Sequence, residues 1–582
     1  MTACVEKEDR KFSSERGASP KVRRAPRGWL PQLLGMVLSA WAGLSAPSVG
    51  ANQGGAAQRD GDVIFAPDKS FSQRSLRSER SAFGADPGSD RSVIDVMVLY
   101  TDAARAKYGE AAVRTKIALG VACINEAFNR SGVNARFRLV YQAEATWHRE
   151  SARAEDELYW LAEDDTVANL RDLVGADLVT LLVRSGLPNG GLAFFNSPFA
   201  VYDGGPVKFA HECGHNLGCN HDRPNAGDAL DSPGFNFGYS FTPPGSHFNY
   251  GDVMSYVGSQ IEQFSNPDRY FMGEATGLPA GHVDAAGVPD AADNVTSLNA
   301  YIPYAAGSKS EQATSLGHPR LDLDGAQFSF QIAGLESGDC AIDYSADLQE
   351  WKILTRASLN SDGSGVTEML DDVASVSHRF YRARTVAGDL LTRVGFVKRI
   401  VPEGYSLLAN PLENDDNTIG ALLPSVPEGT QLYKWMEGKQ TWVCNSFSLD
   451  GWNDPTMTLH PGEGVIIRNR SGAPILLGLV GEVNQALRNR VPLDWSIRSS
   501  AIPQAGPITS ILGMRPFGAG CELFRIGPDG RYLVYSWDGD EWSPSEPSIE
   551  IGEAFWCRNS VNAFLWERCL WESPLGITLR DP

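Results

Sequence analysis

The chain has 582 residues, which is too long for one hydrophobic core, and we expect roughly three or four domains. Hydrophobic residues make up 42% of it and 14 residues are tryptophan, a composition that argues against global disorder. The formal net charge of -20 argues against a protein that binds nucleic acid, because phosphates demand a basic surface.

The first 51 residues have the pattern of a signal peptide. Four basic residues between Lys21 and Arg27 precede the apolar run GWLPQLLGMVLSAWAGLSA, and small residues ending at Ala51 offer a cleavage site. A transmembrane anchor is the less favoured alternative, because Pro31 and two glycines interrupt the run. We therefore expect an exported protein, either secreted or at the cell surface or in the periplasm. No later stretch is apolar enough to span a bilayer, so we expect no stable membrane span after processing.

Residues 52–91 are polar and rich in Gly, Ser and Asp, which predicts a linker or a propeptide. From Val93 the hydrophobic pattern predicts strands that alternate with helices. In chain order these are a buried strand at VIDVMVLYT, one helix that begins near Asp102 and ends before Gly132, a strand at ARFRLVYQ, a helix at DDTVANLRDLVGA, a strand at DLVTLLVRS, a short strand at GGLAFFN and a closing helix at DAADNVTSLNAYIPY. This order predicts a mostly parallel sheet covered by helices over residues 92–305.

The remainder has an all-β pattern. Residues 318–388 contain short alternating runs that predict a small β-sandwich-like domain. Beyond them the sequence repeats at an offset of 90 residues, since Tyr405 aligns with Trp495, Trp452 with Trp542, and GEGVIIRN with GEAFWCRN. We therefore predict two β-rich repeat modules, at 395–485 and 486–575.

The stretch VKFAHECGHNLGCNHDRP contains a possible metal site. His211 and His215 are four residues apart and therefore project from one face of a helix. Glu212 lies beside them, where a carboxylate can activate water. Gly218 can end the helix with a positive φ, and the chain can then bring His221 to the same ion.

The full string from His211 to His221 follows the metzincin pattern, and GDVMSYVGS supplies the downstream methionine turn with Met254. Residues 93–304 resemble the metzincin zinc endopeptidases, most closely the reprolysin-like (M12B-like) bacterial branch, because Asp222 directly follows the third histidine. The segments EQFSNPDRYFMGEATG and AADNVTSLN are also similar to that branch. The resemblance implies an α+β catalytic domain with a twisted mixed sheet and an active-site helix. It also implies one catalytic Zn²⁺, with Met254 packing beneath the site.

The same residues allow two alternatives to a catalytic zinc site. A buried histidine is usually a core residue, but three at ligand spacing make that interpretation weak. A structural Cys–His zinc site would use Cys213 or Cys219, yet Cys213 points away from the histidine face, and both thiols are better interpreted as buried or disulfide-bonded. Three histidines also leave the fourth zinc position open for water, whereas a structural site closes it.

The resemblance implies roles for two further groups. Tyr256, two residues after the turn methionine, would stabilise the oxyanion, and a tyrosine that merely packs on the loop is an equally weighted alternative. Gly191, Leu192 and Ala193 would form the edge strand that aligns an extended substrate, and an ordinary sheet edge is the compatible alternative.

The sequence thus predicts a secreted zinc metalloendopeptidase in which water activated by the zinc and by Glu212 hydrolyses peptide bonds. A surface adhesion or binding protein built on a non-catalytic metzincin scaffold is the alternative. Protein or peptide substrates are the expected partners. Aromatic residues of the C-terminal modules could contact a surface or a polysaccharide, although a role in the core is favoured: Trp435, Trp442, Trp452, Trp537 and Trp542. The sequence leaves Ca²⁺ binding open and contains no motif that shows it.

Overall fold

The computed structural model describes residues 91–184, 187, 190–226, 234–309, 315–322, 324–333, 338–359, 367–385, 388–516 and 518–570. The predicted signal peptide and all but the last residue of the predicted linker or propeptide lie outside these residues. None of the described helices is both long and apolar enough to cross a membrane.

The amino-terminal domain is built on one five-stranded sheet. Its strands are β1 Ser92–Tyr100, β2 Ala135–Glu144, β3 Leu178–Leu182, β4 Gly191–Ala193 and β5 Phe199–Tyr202. Their order is β2–β1–β3–β5–β4, and all neighbours are parallel except β4, which runs antiparallel to β5 at the edge. Side chains alternate between two cores: Val96 and Val98 pack on one face of β1, and Met97 and Leu99 on the other. Burial on both faces explains the continuous apolar run.

Six helices surround this sheet in the part of the chain that is described. They are α1 Asp102–Tyr108, α2 Glu110–Ser131, α3 Ala154–Glu163, α4 Asp165–Val174, α5 Pro206–Asn216 and α6 Asn294–Ala305. The single helix predicted between Asp102 and Gly132 is corrected to α1 and α2, because Gly109 has φ +82° and interrupts the run. Helices α2 and α5 pack closely at Gly120, where a Cβ would lie 2.9 Å from Phe209 Cγ.

The chain between α5 and α6 is mostly irregular, as its many Gly, Pro and Asn residues predict. It contains a 3-10 turn at Arg223–Asn225 and short strands β6 Ser240–Phe241, β7 Tyr250–Gly251, β8 Ser259–Gln260, β9 Tyr270–Phe271 and β10 Glu274–Ala275. These segments surround the end of α5 and cover it.

The C-terminal half consists of antiparallel sheets. Its first strands are β11 Ser315–Leu321, β12 Gln327–Ala333, β13 Gly338–Ser345, β14 Lys352–Leu359, β15 Thr367–Asp372, β16 His378–Thr385 and β17 Gly388–Val401. The first repeat follows, with β18 Gly404–Leu408, the short helix α7 Ile419–Leu422, β19 Gln431–Met436, a 3-10 turn at Glu437–Lys439, β20 Thr441–Ser448, β21 Gly451–Trp452, β22 Val465–Asn469 and β23 Ile475–Glu482. The second repeat has β24 Ala486–Val491, β25 Asp494–Arg498, β26 Gly506–Pro507, β27 Cys521–Ile526, β28 Tyr532–Trp537, β29 Trp542–Ser543, β30 Ser548–Ile549, β31 Phe555–Asn559 and β32 Phe564–Cys569.

The two repeats fold alike. The sheet of the first has the order β18–β22–β19–β20–β21, and that of the second has the corresponding order β25–β31–β27–β28–β29. Strand β17 pairs with β23 in the same way that β24 pairs with β32. Because β17 also pairs with β16, one sheet is continuous across residues 388–395, where the sequence places a domain limit.

Aromatic side chains join the two repeats. Trp442 stacks on Trp556 with ring centroids 5.3 Å apart, and Trp495 stacks on the other side of Trp556 at 5.1 Å. Trp435 donates a hydrogen bond to the Trp495 carbonyl. Trp452 and Trp542 are buried within their own modules, and Trp537 is half-buried. Most of the aromatic residues singled out in the sequence therefore contribute to packing.

Ion pairs connect the C-terminal half to the amino-terminal domain. Arg136 of β2 forms a bidentate pair with Glu482 of β23, with both N–O distances 3.0 Å. Arg488 of β24 donates to Glu262 at 2.7 Å, and both side chains are buried. Partners of this kind, buried together and hydrogen-bonded, fix the modules against the sheet and α2.

Candidate active site

Helix α5 carries the first two histidines and ends where the sequence predicts. Gly218 has φ +88°, its amide donates to the His215 carbonyl, and the Cys219 amide donates to the Gly214 carbonyl. These two bonds define a Schellman motif, which terminates the helix and reverses the chain. The reversal places His221 opposite His211 and His215.

The three imidazoles meet at their Nε2 atoms. His215 Nε2 lies 3.2 Å from His211 Nε2 and 2.9 Å from His221 Nε2, and the third distance is 3.2 Å. Bonds of about 2.1 Å at tetrahedral angles would place nitrogen ligands of one zinc about 3.4 Å apart, close to these values. Among the described residues these histidines form the one group of possible ligands close enough to hold an ion.

Hydrogen bonds at the opposite nitrogens determine the state of the three rings. The Nδ1 atoms of His211 and His215 lie 2.8 Å from the carbonyl oxygens of Val253 and Cys219, and that of His221 lies 3.3 Å from a carbonyl oxygen as well. A carbonyl oxygen only accepts, so each Nδ1 carries the proton and each Nε2 presents a lone pair. Three lone pairs this close repel one another unless a cation lies among them, so the residues fit a metal ion.

Burial keeps the histidines neutral. It lowers the pKa of His211 and His215 well below the ordinary value, and it lowers the pKa of His221 to about 4. The nearby positive charge of Lys208 acts in the same direction on the pKa of all three. Neutral imidazole is the form that binds zinc.

Glu212 lies between the helix and the sheet edge. Its side chain is fully buried, and β4 passes directly over it. A Cβ added at Gly191 would lie 2.6 Å from Glu212 Cδ, so only glycine leaves room for the carboxylate there. Asn216 ties the end of α5 to this edge by donating to the carbonyl oxygens of Phe194 and Phe199. The sequence analysis did not identify Asn216, because no local pattern marks a contact of this kind.

The turn that contains Met254 lies beneath the histidines. Met254 is fully buried, and a Cβ at Gly214 would lie 2.6 Å from its Sδ. Asp252 accepts the Met254 amide at 3.0 Å, and Asp222 accepts the Tyr256 amide at 2.8 Å. Asp252 thus hydrogen-bonds within the turn, and Asp222 connects the turn to the segment that carries His221.

Tyr256 lies against the metal-binding group. Its hydroxyl is 2.9 Å from His221 Nε2, and its ring centroid is 4.4 Å from that of His221 and 5.6 Å from that of His211. The Nζ atom of Lys208 lies 5.7 Å from the centroid of the Tyr256 ring, and the sequence motif does not mark this lysine. Its position three residues before His211 was the signal that could have indicated it.

The remaining predicted site residues lie as follows. Leu192 and Ala193 are buried within β4, and among the described strands β4 pairs only with β5. Cys213 and Cys219 are buried free thiols, and neither belongs to the metal-binding group. Burial raises the pKa of both thiols, which therefore stay protonated.

Three neutral imidazoles, an adjacent glutamate and a methionine turn define the metal site of a zinc metallopeptidase of the metzincin class. Residues 90–277 match the family described as metallo-peptidase family M12B, reprolysin-like. This part of the chain is therefore similar to the reprolysin-like metallopeptidases.

One curated relative is a peptidyl-Asp metalloendopeptidase of Pseudomonas aeruginosa, which is 30% identical over 229 residues. The match covers 33% of this chain and 38% of the relative. Among solved structures, metalloproteinase-II of Bacteroides fragilis matches 26% of this chain and 51% of its own at 14% identity, with a TM-score of 0.18. OgpA of Akkermansia muciniphila matches 52% of this chain and 92% of its own at 11% identity, with a TM-score of 0.18.

Proposed function

We propose that the protein is an exported zinc-dependent endopeptidase that hydrolyses peptide bonds in protein or peptide substrates. The observation that carries the proposal is the convergence of three neutral imidazoles beside a buried glutamate under a sheet edge. His211, His215 and His221 would hold Zn²⁺, and the bound ion would acidify water and polarise a carbonyl group.

Glu212 is the general base and acid of this reaction. Its carboxylate accepts a proton from the attacking water and passes that proton to the leaving amine. The glycine at position 191 leaves space for the carboxylate to act at the substrate backbone, because no side chain separates β4 from Glu212.

Tyr256 supplies a hydroxyl to the developing oxyanion. Its position, 2.9 Å from the Nε2 atom of His221, supports this role. Replacement by phenylalanine removes the hydroxyl and keeps the ring. An unchanged kcat/KM in Tyr256→Phe would show that the tyrosine only packs on the loop.

The substrate binds as an extended strand along Gly191, Leu192 and Ala193. Because β4 is an edge strand, its outer backbone groups can pair with a peptide. The Pseudomonas aeruginosa relative is named for peptidyl-Asp bonds. We propose that this protein likewise prefers peptides with acidic residues.

Export is supported by the basic and apolar pattern of residues 1–51.

The C-terminal modules are proposed to contact a surface or a polysaccharide, and Tyr532, Leu533 and Val534 are a consecutive exposed run that could do so. Retention of the protein on insoluble polysaccharide, compared between wild type and Tyr532→Ala, tests this role. Equal absence of retention would argue against it.

Cleavage of a denatured protein by the purified, zinc-loaded chain tests the proposed activity. Wild type should cleave it in a chelator-sensitive way, and Glu212→Ala should be inactive although it still binds zinc. Glu522→Ala, which removes a surface carboxylate paired with Arg558, is the matched control and should remain active. If wild type and Glu212→Ala both bind zinc and are equally inert, the adhesion or binding function is correct instead.

A further inference from the structure

Lys208 is a cation in the candidate active site that the zinc chemistry does not use. It lies on α5 three residues before His211 and four before Glu212, so all three side chains share one face of the helix. The side chain is half-buried. An ammonium group that loses water on one side of a cleft is stabilised by an anion that contacts it.

The surroundings of Lys208 direct its ammonium group toward the substrate edge. A Cβ at Gly190 would lie 3.1 Å from Lys208 Cγ and 3.3 Å from its Cε, so the stem passes the residue that precedes β4. The Nζ lies 5.7 Å from the centroid of the Tyr256 ring on the other side. Lys208 therefore lies between the proposed substrate-binding strand and the tyrosine beside the metal-binding group.

Lys208 makes no hydrogen bond or ion pair with any described residue. The Oδ1 atom of Asp203 would lie 3.3 Å from the same added Cβ at Gly190, so this carboxylate and the lysine stem both approach Gly190. Asp203 interacts electrostatically with Lys116 of α2. With zinc bound, the ion and the ammonium group of Lys208 would both attract an anionic ligand to the cleft.

We propose that Lys208 binds the carboxylate of an acidic substrate side chain that flanks the scissile bond, and that it is a specificity-determining residue. The proposal rests on the endopeptidase activity proposed above and deepens it. About one helical turn separates Lys208 from His211 and from Glu212. A substrate side chain next to the reacting carbonyl could span that distance and reach the lysine. An ammonium–carboxylate contact of this kind is charge-assisted and is lost with the neutral isostere.

Peptides that differ at one position test the proposal. In a quenched fluorescent series, the residue on either side of the cleaved bond is Asp, Asn or Lys, and mass spectrometry identifies the bond that is cut. Wild type should cleave the best Asp peptide with a kcat/KM about 10- to 100-fold above the matching Asn peptide. In Lys208→Met this ratio should fall toward one, and Lys208→Glu should favour the Lys peptide.

Two further variants separate specificity from folding. Lys208→Arg keeps the charge and should retain the preference for Asp. Lys116→Met removes a similar half-buried lysine near Asp203 that lies outside the proposed cleft, and its Asp-to-Asn ratio should match that of wild type. On a Glu212→Ala background, calorimetry of the Asp and Asn peptides measures binding without cleavage and should show the same dependence on Lys208.

The outcomes distinguish this inference from the proposed activity. Cleavage by wild type with no preference for acidic peptides would overturn the role of Lys208 and leave the endopeptidase proposal intact. A Lys208→Met variant that loses the same factor on Asp, Asn and Lys peptides would also overturn it, because the lysine would then act on the reaction itself. Cleavage of no peptide and no protein by wild type would overturn both proposals.

Discussion

The amino-terminal domain and the C-terminal repeats both bury polar side chains, but they use them differently. Asn469 and Asn559 occupy equivalent positions of the two repeats, and each donates two hydrogen bonds to backbone carbonyl oxygens. His211, His215 and His221 each make one such bond through Nδ1 and direct Nε2 at one another. A buried polar group whose bonds are complete stabilises the fold, whereas a converging set that repels itself requires a ligand.

The largest expected effect comes from removing a zinc ligand. His215→Ala should lose bound zinc and reduce kcat/KM by about 10³-fold or more, because two imidazoles hold the ion poorly and its charge leaves the reaction. Zinc analysis and cleavage of a denatured protein measure both effects. The exposed His318→Ala is the control, and equal zinc content in the two variants would contradict the assignment of His215.

Gly191→Ala should reduce kcat about 10²-fold with zinc still bound, because the added methyl group meets the carboxylate of Glu212. Gly317→Ala adds the same group where no atom lies within 4 Å, and it should leave cleavage unchanged. Steady-state kinetics of the two variants provide the comparison. Equal activity of Gly191→Ala and Gly317→Ala would show that the space at Gly191 is not needed by the Glu212 carboxylate.

Removal of the metal should make the stability of the amino-terminal domain sensitive to acid. Burial lowers the pKa of His221 to about 4 in the folded chain. Between about pH 6.5 and pH 4 the imidazole is therefore protonated in the unfolded chain and neutral in the folded chain. Stability is therefore complete above about pH 6.5 and is lost as the pH falls toward 4, by about 3 kcal/mol for this one residue. Denaturant unfolding of chelated protein at pH 7.5 and pH 4 measures the loss. A loss of the same size in His221→Leu would contradict it.

In the repeats the expected effects are on stability alone. Asn469→Ala and Asn559→Ala should each reduce the free energy of unfolding by about 1–3 kcal/mol, because two buried carbonyl oxygens lose their donor in each variant. Cleavage by the folded variants should equal that of wild type. Asn562→Ala, at an exposed position that keeps its accepting carbonyl, is the control. A change in zinc content in either repeat variant would contradict the claim that these asparagines affect stability alone.

Sequence patterns predicted the site better than they predicted the arrangement around it. The spacing of His211, His215, Gly218 and His221 is local, and one helix with its terminal glycine is enough to specify how they meet. The contact between Gly191 and Glu212 joins an edge strand to a helix. The position of Lys208 in the site becomes visible only from its contact with Tyr256. No local period encodes contacts of that kind.

The fold shows the same limit. Strand β1 and the helix after it follow from their apolar patterns, but Gly109 sits inside a helical period and breaks it, which periodicity alone does not reveal. Helix α3 and the four-residue strand β5 were missed, because their apolar runs are short. The pairing of β17 with β23 links residues about 80 positions apart, so the sequence placed a limit where one sheet continues.

The most direct test of the central claim is a zinc titration of the chelated protein with cleavage of a denatured protein as the readout. We predict no cleavage without metal and full recovery at one equivalent of Zn²⁺, with Glu212→Ala binding the same equivalent and remaining inactive. Cleavage that persists without zinc, or one tightly bound zinc in a wild-type protein that cleaves nothing, would contradict the account.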